Sequence, residues 1–273
     1  MIEYPNAKIN LGLFITARRS DGFHNIETVM LPVKGLKDIL EIIPTSEAET
    51  KVEFSSSGIS TNTNTEGNLC VQAYRKLAQR INLPPVAIHL HKQIPIGAGL
   101  GGGSADGAFA LRMLNSLAQH PISENNLAEV ALELGSDCPF FLHNKPCFAS
   151  GRGEILTPVE PPQGDYFLLI VNPKIHVNTG QAYASSSPKP ASIDLKKTIE
   201  TPICQWKENI SNDFEKTVFN LHPEIALLKD KIYSMGAIYA SMSGSGSTVF
   251  GIFEQIPDIS NQFEGYFSTV TKL

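Results

Sequence analysis

Apolar and polar residues alternate from the start of the chain. Ile9, Leu11, Leu13 and Ile15 fall on one face of an extended backbone, and Lys8, Asn10 and Gly12 fall on the other. This period of two predicts a half-buried strand over 7–17. Asp21-Gly22 supplies a turn, and Ile26 to Val33 returns as a second strand. Asp38 to Ile43 and Lys51 to Phe54 read as further strands, and the Ser-, Thr- and Asn-rich stretch from Ser55 to Gly67 as a loop. The period then lengthens. Leu69, Ala73, Leu77 and Ile81 form one stripe of a helix that Asn68 can cap and Asn82-Leu-Pro-Pro85 ends. A strand over 86–91 leads into a glycine-rich run, after which Ala108, Leu111, Leu114 and Ala118 mark one side of another helix. Ser123 caps the next helix, and Gly135 follows its last turn as a C-cap. Ser136-Asp137-Cys138-Pro139 then precedes an apolar run, Phe140 to Leu142, that reads as a strand.

A Pro- and Gly-rich cluster from Pro158 to Gly164 is the best boundary. Beyond it the pattern predicts a strand (Phe167 to Val171), a polar loop (Ser185 to Ser192) and helices near 212–220 and 223–235. Two strand-like runs within 237–253 are joined by a turn of small residues. Strands and helices alternate without the rhythm of parallel βαβ units, so the expectation is a two-domain α+β protein divided into 1–157 and 158–273.

Composition narrows the classes. The chain has 273 residues, 42% of them apolar, enough for one large core or two smaller ones. Its net charge is −5 with no basic stripe, which argues against nucleic acid as a partner. Glu3 lies where a signal peptide would be basic or apolar. Apolar runs such as Tyr166 to Val171 are too short to cross a bilayer, so no membrane is expected. The four cysteines contain no C-x-x-C pair; reduced, mostly buried thiols in a cytoplasmic protein are the default, and no metal-ligating set is apparent.

The candidate chemistry lies in the glycine-rich run, Pro95-Ile-Gly-Ala-Gly-Leu-Gly-Gly-Gly-Ser-Ala-Asp-Gly-Ala108, with five glycines in the seven positions from Gly97 to Gly103. Glycines let backbone N–H groups close on a bulky anion. A following helix start adds free donors and the positive end of a dipole. The run therefore predicts a phosphate cradle. It is not a P-loop, because Gly103 stands where G-x-x-x-x-G-K-[ST] needs its lysine. Gly97, Gly99 and Gly102 satisfy G-x-G-x-x-G literally, but Pro95 interrupts the strand-to-loop step. No second strand ending in an acidic residue follows at about 20 residues. Neither H-R-D nor D-F-G follows, which disfavours a protein kinase. Taken alone, Lys8 reads as a solvated strand charge and Asp137 as an Asx-turn residue. Beside a phosphate cradle they gain weight, since phosphoryl transfer needs charge neutralisation and an acceptor for a hydroxyl proton. Ser104 could add a hydroxyl to the phosphates or to magnesium.

Three motifs in order resemble those of the GHMP small-molecule kinases: Pro5-Asn-Ala-Lys-Ile-Asn-Leu-Gly-Leu13, the glycine loop from Pro95 to Ala105, and Ser241-Met-Ser-Gly-Ser-Gly-Ser-Thr-Val-Phe250. Asp21-Gly-Phe-His24 and Gly135-Ser-Asp-Cys-Pro-Phe-Phe141 are similar to the Asp-Gly-Tyr-His and Gly-Ala-Asp-Val-Pro-Phe-Phe segments of one branch. That branch phosphorylates a cytidyl diphosphate derivative of methylerythritol in the non-mevalonate route to isoprenoids. The resemblance implies an N-terminal ribosomal-protein-S5-like ATP-binding domain and a C-terminal ferredoxin-like substrate domain. It implies transfer of the γ-phosphate of ATP, with Mg2+, to the 2-hydroxyl of the methylerythritol unit of a small cytidyl diphosphate substrate. Asp137 would be the catalytic carboxylate and Lys8 its partner. ATP would be held by Pro95, Ile96, Gly97, Ala98, Gly99, Leu100, Gly101, Gly102, Gly103, Ser104 and Ala105, with Asn68 and Lys92 near the adenine. Asn10, Phe23, His24 and Tyr183 would hold the substrate, the aromatic residues around its cytosine.

The chain departs from the family pattern at three places. Phe23 replaces a tyrosine. Ala98 replaces a common glycine, which is tolerable with a negative φ. Asp106 puts a carboxylate near the phosphates, where it must either point away or meet magnesium. Rival readings are a GHMP kinase for mevalonate, homoserine or a sugar, a dinucleotide-dependent oxidoreductase, and a catalytically dead binding protein. Phe23-His24 and Phe140-Phe141 favour the cytidyl substrate. The sequence leaves the oligomeric state open.

Overall fold

The computed structural model describes residues 1–46, 51–60 and 65–273; residues 61–64 of the expected Ser55 to Gly67 loop lie outside the described residues. In chain order the first half forms β1 (Ile2–Glu3), β2 (Asn6–Arg18), β3 (His24–Lys37), β4 (Ile39–Pro44), β5 (Val52–Gly58), α1 (Leu69–Ala78), β6 (Val86–Lys92), α2 (Gly102–Leu117), α3 (Glu124–Leu134) and α4 (Cys138–His143). The second half forms β7 (Cys147–Ser150), β8 (Ile155–Pro158), β9 (Phe167–Asn172), α5 (Thr179–Ala184), α6 (Leu195–Thr198), α7 (Trp206–Asn209), α8 (Asp213–Leu221), α9 (Pro223–Ser234), β10 (Tyr239–Met242), β11 (Val249–Phe253) and β12 (Phe267–Lys272). By compactness the chain divides into two units, neither of them continuous. Unit 1 comprises Met1–Ala7, Leu36–Ile96 and Gly101–Asn144, and unit 2 comprises Lys8–Gly35, Gly97–Leu100 and Lys145–Leu273. The strand pairings group the chain differently, with β1 to β8 in two sheets and β9 to β12 in a third.

Unit 1 holds the sheet β1-β4-β6-β5, antiparallel except for the β5–β6 pair. Along β6 the buried Val86, Ile88, Leu90 and Lys92 alternate with half-buried Ala87, His89 and His91, the period of a strand with one face on a core. The expected loop from Ser55 is strand as far as Gly58. Ser55, Ser56 and Ser57 pair with His89, Leu90 and His91, and the hydroxyls of Ser55 and Ser57 reach the imidazoles of His89 and His91. Cross-strand pairing thus overrides the local turn preference of serine. Asn68 caps α1 by accepting from the N–H of Cys70 at 2.9 Å. That helix ends at Ala78, so Ile81 lies past it. Helix α2 starts inside the glycine-rich run, at Gly102, and stops at Leu117, with Ala118 as its C-cap. It contacts α1, α3 and α4 as well as β4, so its buried residues extend beyond the expected stripe to Ala105, Asp106, Phe109, Ala110 and Met113.

The expected strand from Phe140 to Leu142 is helix α4. A three-residue apolar run has no resolvable period. Pro139 fits a first helical turn, where its missing N–H costs nothing, and Asn144 stops the helix at φ 50.

Unit 2 holds two four-stranded sheets, β2-β3-β7-β8 and β10-β11-β9-β12. Every pair in the second is antiparallel. Helices α8 and α9 cover this second sheet, and Phe214, Val218, Ile225, Leu228 and Ile232 meet Leu169, Val171, Ala240, Met242 and Val249 in one core. The expected elements near 167–171, 212–220, 223–235 and 237–253 form at those places. Strand β2 differs from expectation: both faces are buried through Ile15, and Lys8 and Asn10 keep only 3% and 2% of their exposure. Lys8 is therefore not the solvated charge that alternation suggested. Among the described residues, no helix is long and apolar enough to cross a membrane. The four cysteines are free thiols, with Cys70, Cys138 and Cys147 buried.

Candidate active site

In unit 1 the glycine-rich segment ends as a helix start. Gly101 takes φ 69 and is the N-cap of α2 without a side-chain capping bond. The helical ladder begins with the N–H of Ala105, which donates to Gly101 O at 2.9 Å. The N–H groups of Gly102, Gly103 and Ser104 precede that ladder, and the first turn carries no acidic residue. These are the orphan donors of a helix N-terminus, backed by its dipole. Gly102 is needed for space, since a Cβ there would lie 2.9 Å from both Ile94 Cγ2 and Lys92 Nζ. Gly103 is exposed, and a Cβ would meet nothing nearer than Leu69 Cδ1 at 3.8 Å. Its lack of a side chain leaves room outside the fold, where an anion would approach.

Beneath this helix start sits a buried ionic cluster. Lys92 Nζ donates to Asp38 Oδ2, and to Asp106 Oδ2 at 2.8 Å. Asp38 Oδ1 accepts the N–H groups of Gln93 at 2.5 Å and Ile94 at 2.9 Å. Asp38 thus faces three donors. Asp106 meets Lys92 and shares a hydrogen bond with Asp38, while its Oδ1 is buried with no hydrogen-bond partner. Burial pushes the Asp106 carboxyl up to about 8, against the pull of Lys92. The lysine itself is held above its ordinary value by the two carboxylates, against the effect of its own burial. Of the two alternatives for Asp106, the structure takes the first: the carboxylate points inward to Lys92.

Asp137 opens α4, half-buried, and does not cap it. The neighbouring Cys138 thiol shares a hydrogen bond with Ser104, and burial pushes that thiol up to about 12. This bond ties the first turn of α4 to the first turn of α2.

In unit 2 the segment Gly97–Leu100 is held by backbone. The N–H of Lys8 donates to Leu100 O at 2.9 Å, and the N–H of Thr248 to Ala98 O at 3.3 Å. Gly99 O accepts from Lys8 Nζ at 3.1 Å and from Ser243 Oγ at 2.8 Å. Gly99 takes φ +77, and a Cβ there would stand 2.0 Å from Ser243 O. Ala98, by contrast, is not among the positive-φ residues, so the alanine is accommodated. Lys8 Nζ also donates to Asn10 Oδ1 at 2.5 Å, and Asn10 Nδ2 donates to Thr28 Oγ1 at 3.1 Å. Lys8 and Asn10, predicted to share a face, form one buried network.

His24 and Tyr183 also come together, with stacked rings 4.9 Å apart and 17° from parallel. Burial, with Arg18 nearby, holds His24 below the ordinary imidazole range. Phe23 keeps 51% of its exposure.

Sequence reasoning missed several supports. Asn212 Nδ2 donates to Met242 O at 2.7 Å and Gly244 O at 2.8 Å. Asn172 Nδ2 donates to Ser247 Oγ at 3.2 Å and Thr248 Oγ1 at 3.1 Å. Together they hold the turn between β10 and β11 that meets Gly99. Asp38 was the other omission. The third motif located the turn, but nothing in local spacing pointed to Asn212, Asn172 or Asp38.

Two family models match the chain in order: the GHMP kinases N terminal domain over residues 68–145 and the GHMP kinases C terminal domain over 203–268. A 4-diphosphocytidyl-2-C-methyl-D-erythritol kinase of Azobacteroides pseudotrichonymphae genomovar. CFP2 is 48% identical over 93% of this chain and 94% of its own. The protein of that name from Bacteroides fragilis (strain ATCC 25285) is 47% identical over the full length of both. Among solved structures, a 4-(cytidine 5'-diphospho)-2C-methyl-D-erythritol kinase superposes with a TM-score of 0.80 at 32% identity, covering 93% of this chain and 90% of that one. The Methanococcus jannaschii mevalonate kinase, at 13% identity and a TM-score of 0.69 over 100% of this chain and 97% of its own, shares the fold alone. With both family domains present in order and relatives nearly half identical along the whole length, this chain belongs to the GHMP kinase family.

Proposed function

We propose that this protein is an ATP-dependent small-molecule kinase that phosphorylates the 2-hydroxyl of 4-diphosphocytidyl-2-C-methyl-D-erythritol, a step in the methylerythritol phosphate route to isopentenyl diphosphate. The observation that carries the reading is the full-length match, 47% identical, to the Bacteroides fragilis kinase of that name. The N–H groups of Gly102, Gly103 and Ser104 receive phosphate oxygens of ATP, and the loop from Pro95 to Ala105 closes around them. Lys92 and Asn68 serve the nucleotide by fixing the backbone under that loop and at the start of α1. ATP arrives as its magnesium complex, whose hard ligands are phosphate oxygens and water, with the Ser104 hydroxyl as the candidate protein oxygen. Among the described residues, no group of three His, Cys, Asp or Glu forms a separate metal site.

The bond from the γ-phosphorus to the β-bridging oxygen breaks as the bond to the substrate 2-hydroxyl oxygen forms. The hydroxyl proton passes to Asp137 and ADP leaves. Lys8 supplies positive charge and orients Asn10, which holds the substrate, while Phe23, His24 and Tyr183 take the cytosine. In this reading 1–157 is the ATP-binding domain and 158–273 the substrate domain, although Asn10, Phe23 and His24 of the first are also assigned to the substrate. Free thiols and ATP chemistry together suit the cytoplasm.

The test is ADP release from ATP and magnesium with 4-diphosphocytidyl-2-C-methyl-D-erythritol, mevalonate, homoserine and galactose offered separately. Turnover with the cytidyl compound alone is the expected result. Turnover with another member of the panel instead would remove the cytosine assignments. Asp137→Asn is expected to melt like the wild type and to lose at least about 100-fold in kcat. A variant with near-normal turnover would end the catalytic assignment.

A further inference from the structure

We propose that Arg152 is a positioning residue for the substrate's base: it holds the ring of Phe23 and thereby sets the affinity for the cytidyl substrate. The proposal rests on the reading above and adds to it a residue that none of the motifs contains.

The guanidinium carbon of Arg152 stands 4.7 Å from the centroid of the Phe23 ring. Phe23 follows the Asp21-Gly22 turn and is half exposed, so no hydrophobic core immobilises its ring. Its backbone is fixed, because the N–H donates to Asp21 Oδ1 at 3.1 Å and Asp21 is itself held by Arg19 Nε. The ring needs a separate restraint, and Arg152 supplies it. A planar guanidinium over an aromatic face combines stacking with cation–π attraction. With one face so covered, the other is left for a base.

Arg152 is itself held in place. It lies in the Gly151-Arg-Gly-Glu154 turn between β7 and β8, and its N–H donates to Glu154 Oε2 at 2.5 Å. Its Nε lies 3.7 Å from Glu154 Oε1, and the two side chains keep 25% and 20% of their exposure. Gly151 takes φ +70, and a Cβ there would be 2.7 Å from Glu154 Oε2. Its carbonyl accepts the N–H of Ile26 at 2.7 Å, which ties the turn to β3, the strand that starts next to Phe23. A half-buried arginine paired with Glu154, on a turn anchored to the strand it serves, is built for one geometry.

The test is steady-state kinetics of Arg152→Met, Arg152→Lys, Phe23→Ala and the double variant Arg152→Met/Phe23→Ala, varying the cytidyl substrate and ATP in turn. Arg152→Met is expected to raise KM for the cytidyl substrate about tenfold, with kcat and KM for ATP within about twofold. Arg152→Lys, which keeps the charge, recovers part of the loss. In the Phe23→Ala background the same Arg152→Met change adds nothing, because the ring through which it acts is gone. An unchanged KM in Arg152→Met overturns the proposal. So does a full tenfold rise in the Phe23→Ala background, which would assign Arg152 to the substrate's diphosphate directly. Failure of the wild type on the cytidyl substrate overturns the parent reading, and is seen before any variant is made.

Discussion

The glycine-rich segment is held by different means at its apex and at its root. At the apex, Gly97–Leu100, the restraints are backbone pairs, steric exclusion and one ammonium, that of Lys8 on Gly99 O. Backbone pairs from Lys8 and Thr248 fix the chain, and at Gly99 the Ser243 carbonyl occupies the space a Cβ would need. At the root, under Gly102–Asp106, the restraint is a lysine shared by two buried carboxylates, one fully satisfied and one with an unpartnered oxygen. The apex depends on the absence of a side chain at Gly99. The root carries a buried carboxyl, that of Asp106, raised to about 8.

The largest expected effect comes from breaking the root. Lys92→Met leaves Asp38 and Asp106 buried without their cation, and removing one partner of such a cluster costs about 3–5 kcal/mol. Denaturant unfolding would reveal this, and a loss below about 1 kcal/mol would mean that the cluster is not the restraint described. Breaking the apex comes next. Gly99→Ala combines a backbone collision with a positive φ, for a cost of about 2–4 kcal/mol. Under the proposed function this segment holds ATP, so KM for ATP is also expected to rise steeply. A variant with normal ATP kinetics would show that the apex does not shape the nucleotide site.

Asp106→Asn sharpens the contrast through pH. Folding raises the pKa of Asp106 to about 8, so the native state keeps a proton that the unfolded chain gives up near about 3.9. The stabilisation tied to that proton is full below the unfolded value. It is lost progressively as pH rises to the folded value. Asparagine cannot ionise, its oxygen can accept the Lys92 bond, and its nitrogen takes the place of the unpartnered oxygen. The melting temperature of Asp106→Asn is therefore expected to gain on the wild type from about pH 5 to 8, with no further gain above that. A gap constant with pH would put the charge elsewhere. The smallest effect is expected at Gly103→Ala. The added Cβ meets nothing closer than 3.8 Å, and alanine in a helix is worth about 0.5–1 kcal/mol over glycine. Thermal denaturation should show that gain alongside a weaker hold on ATP. Unaltered ATP kinetics would remove Gly103 from the cradle.

What was legible in the sequence was what the backbone decides locally. The glycine loop, the caps at Asn68 and Ser123, and the alternation along β2 and β6 all act within a few residues. Lys8 was misread because alternation reports that a strand has two faces, not whether the second is covered. The strand in place of helix α4 has the same origin, since a short apolar run carries no period. The cluster at the root joins residues 14 and 54 positions apart, and no local rule links a strand lysine to an aspartate facing inward from a helix. The turn at Ser243 was visible as a motif. Its role against Gly99, and the asparagines that hold it, required the tertiary contacts.

The interleaving of the two units bears on how the chain is made. The backbone passes from one unit to the other after residues 7, 35, 96, 100 and 144. Unit 1 has all of its residues once Asn144 has left the ribosome. Unit 2, which already owns most of β2 and β3, cannot close until β12 pairs with β9 at the far end of the chain. Until then Leu13 and Ile15 wait for core partners not yet translated, among them Leu169, Phe214, Ile225 and Met242. Such a nascent strand is a natural client for a holding chaperone and a first point of failure in overexpression.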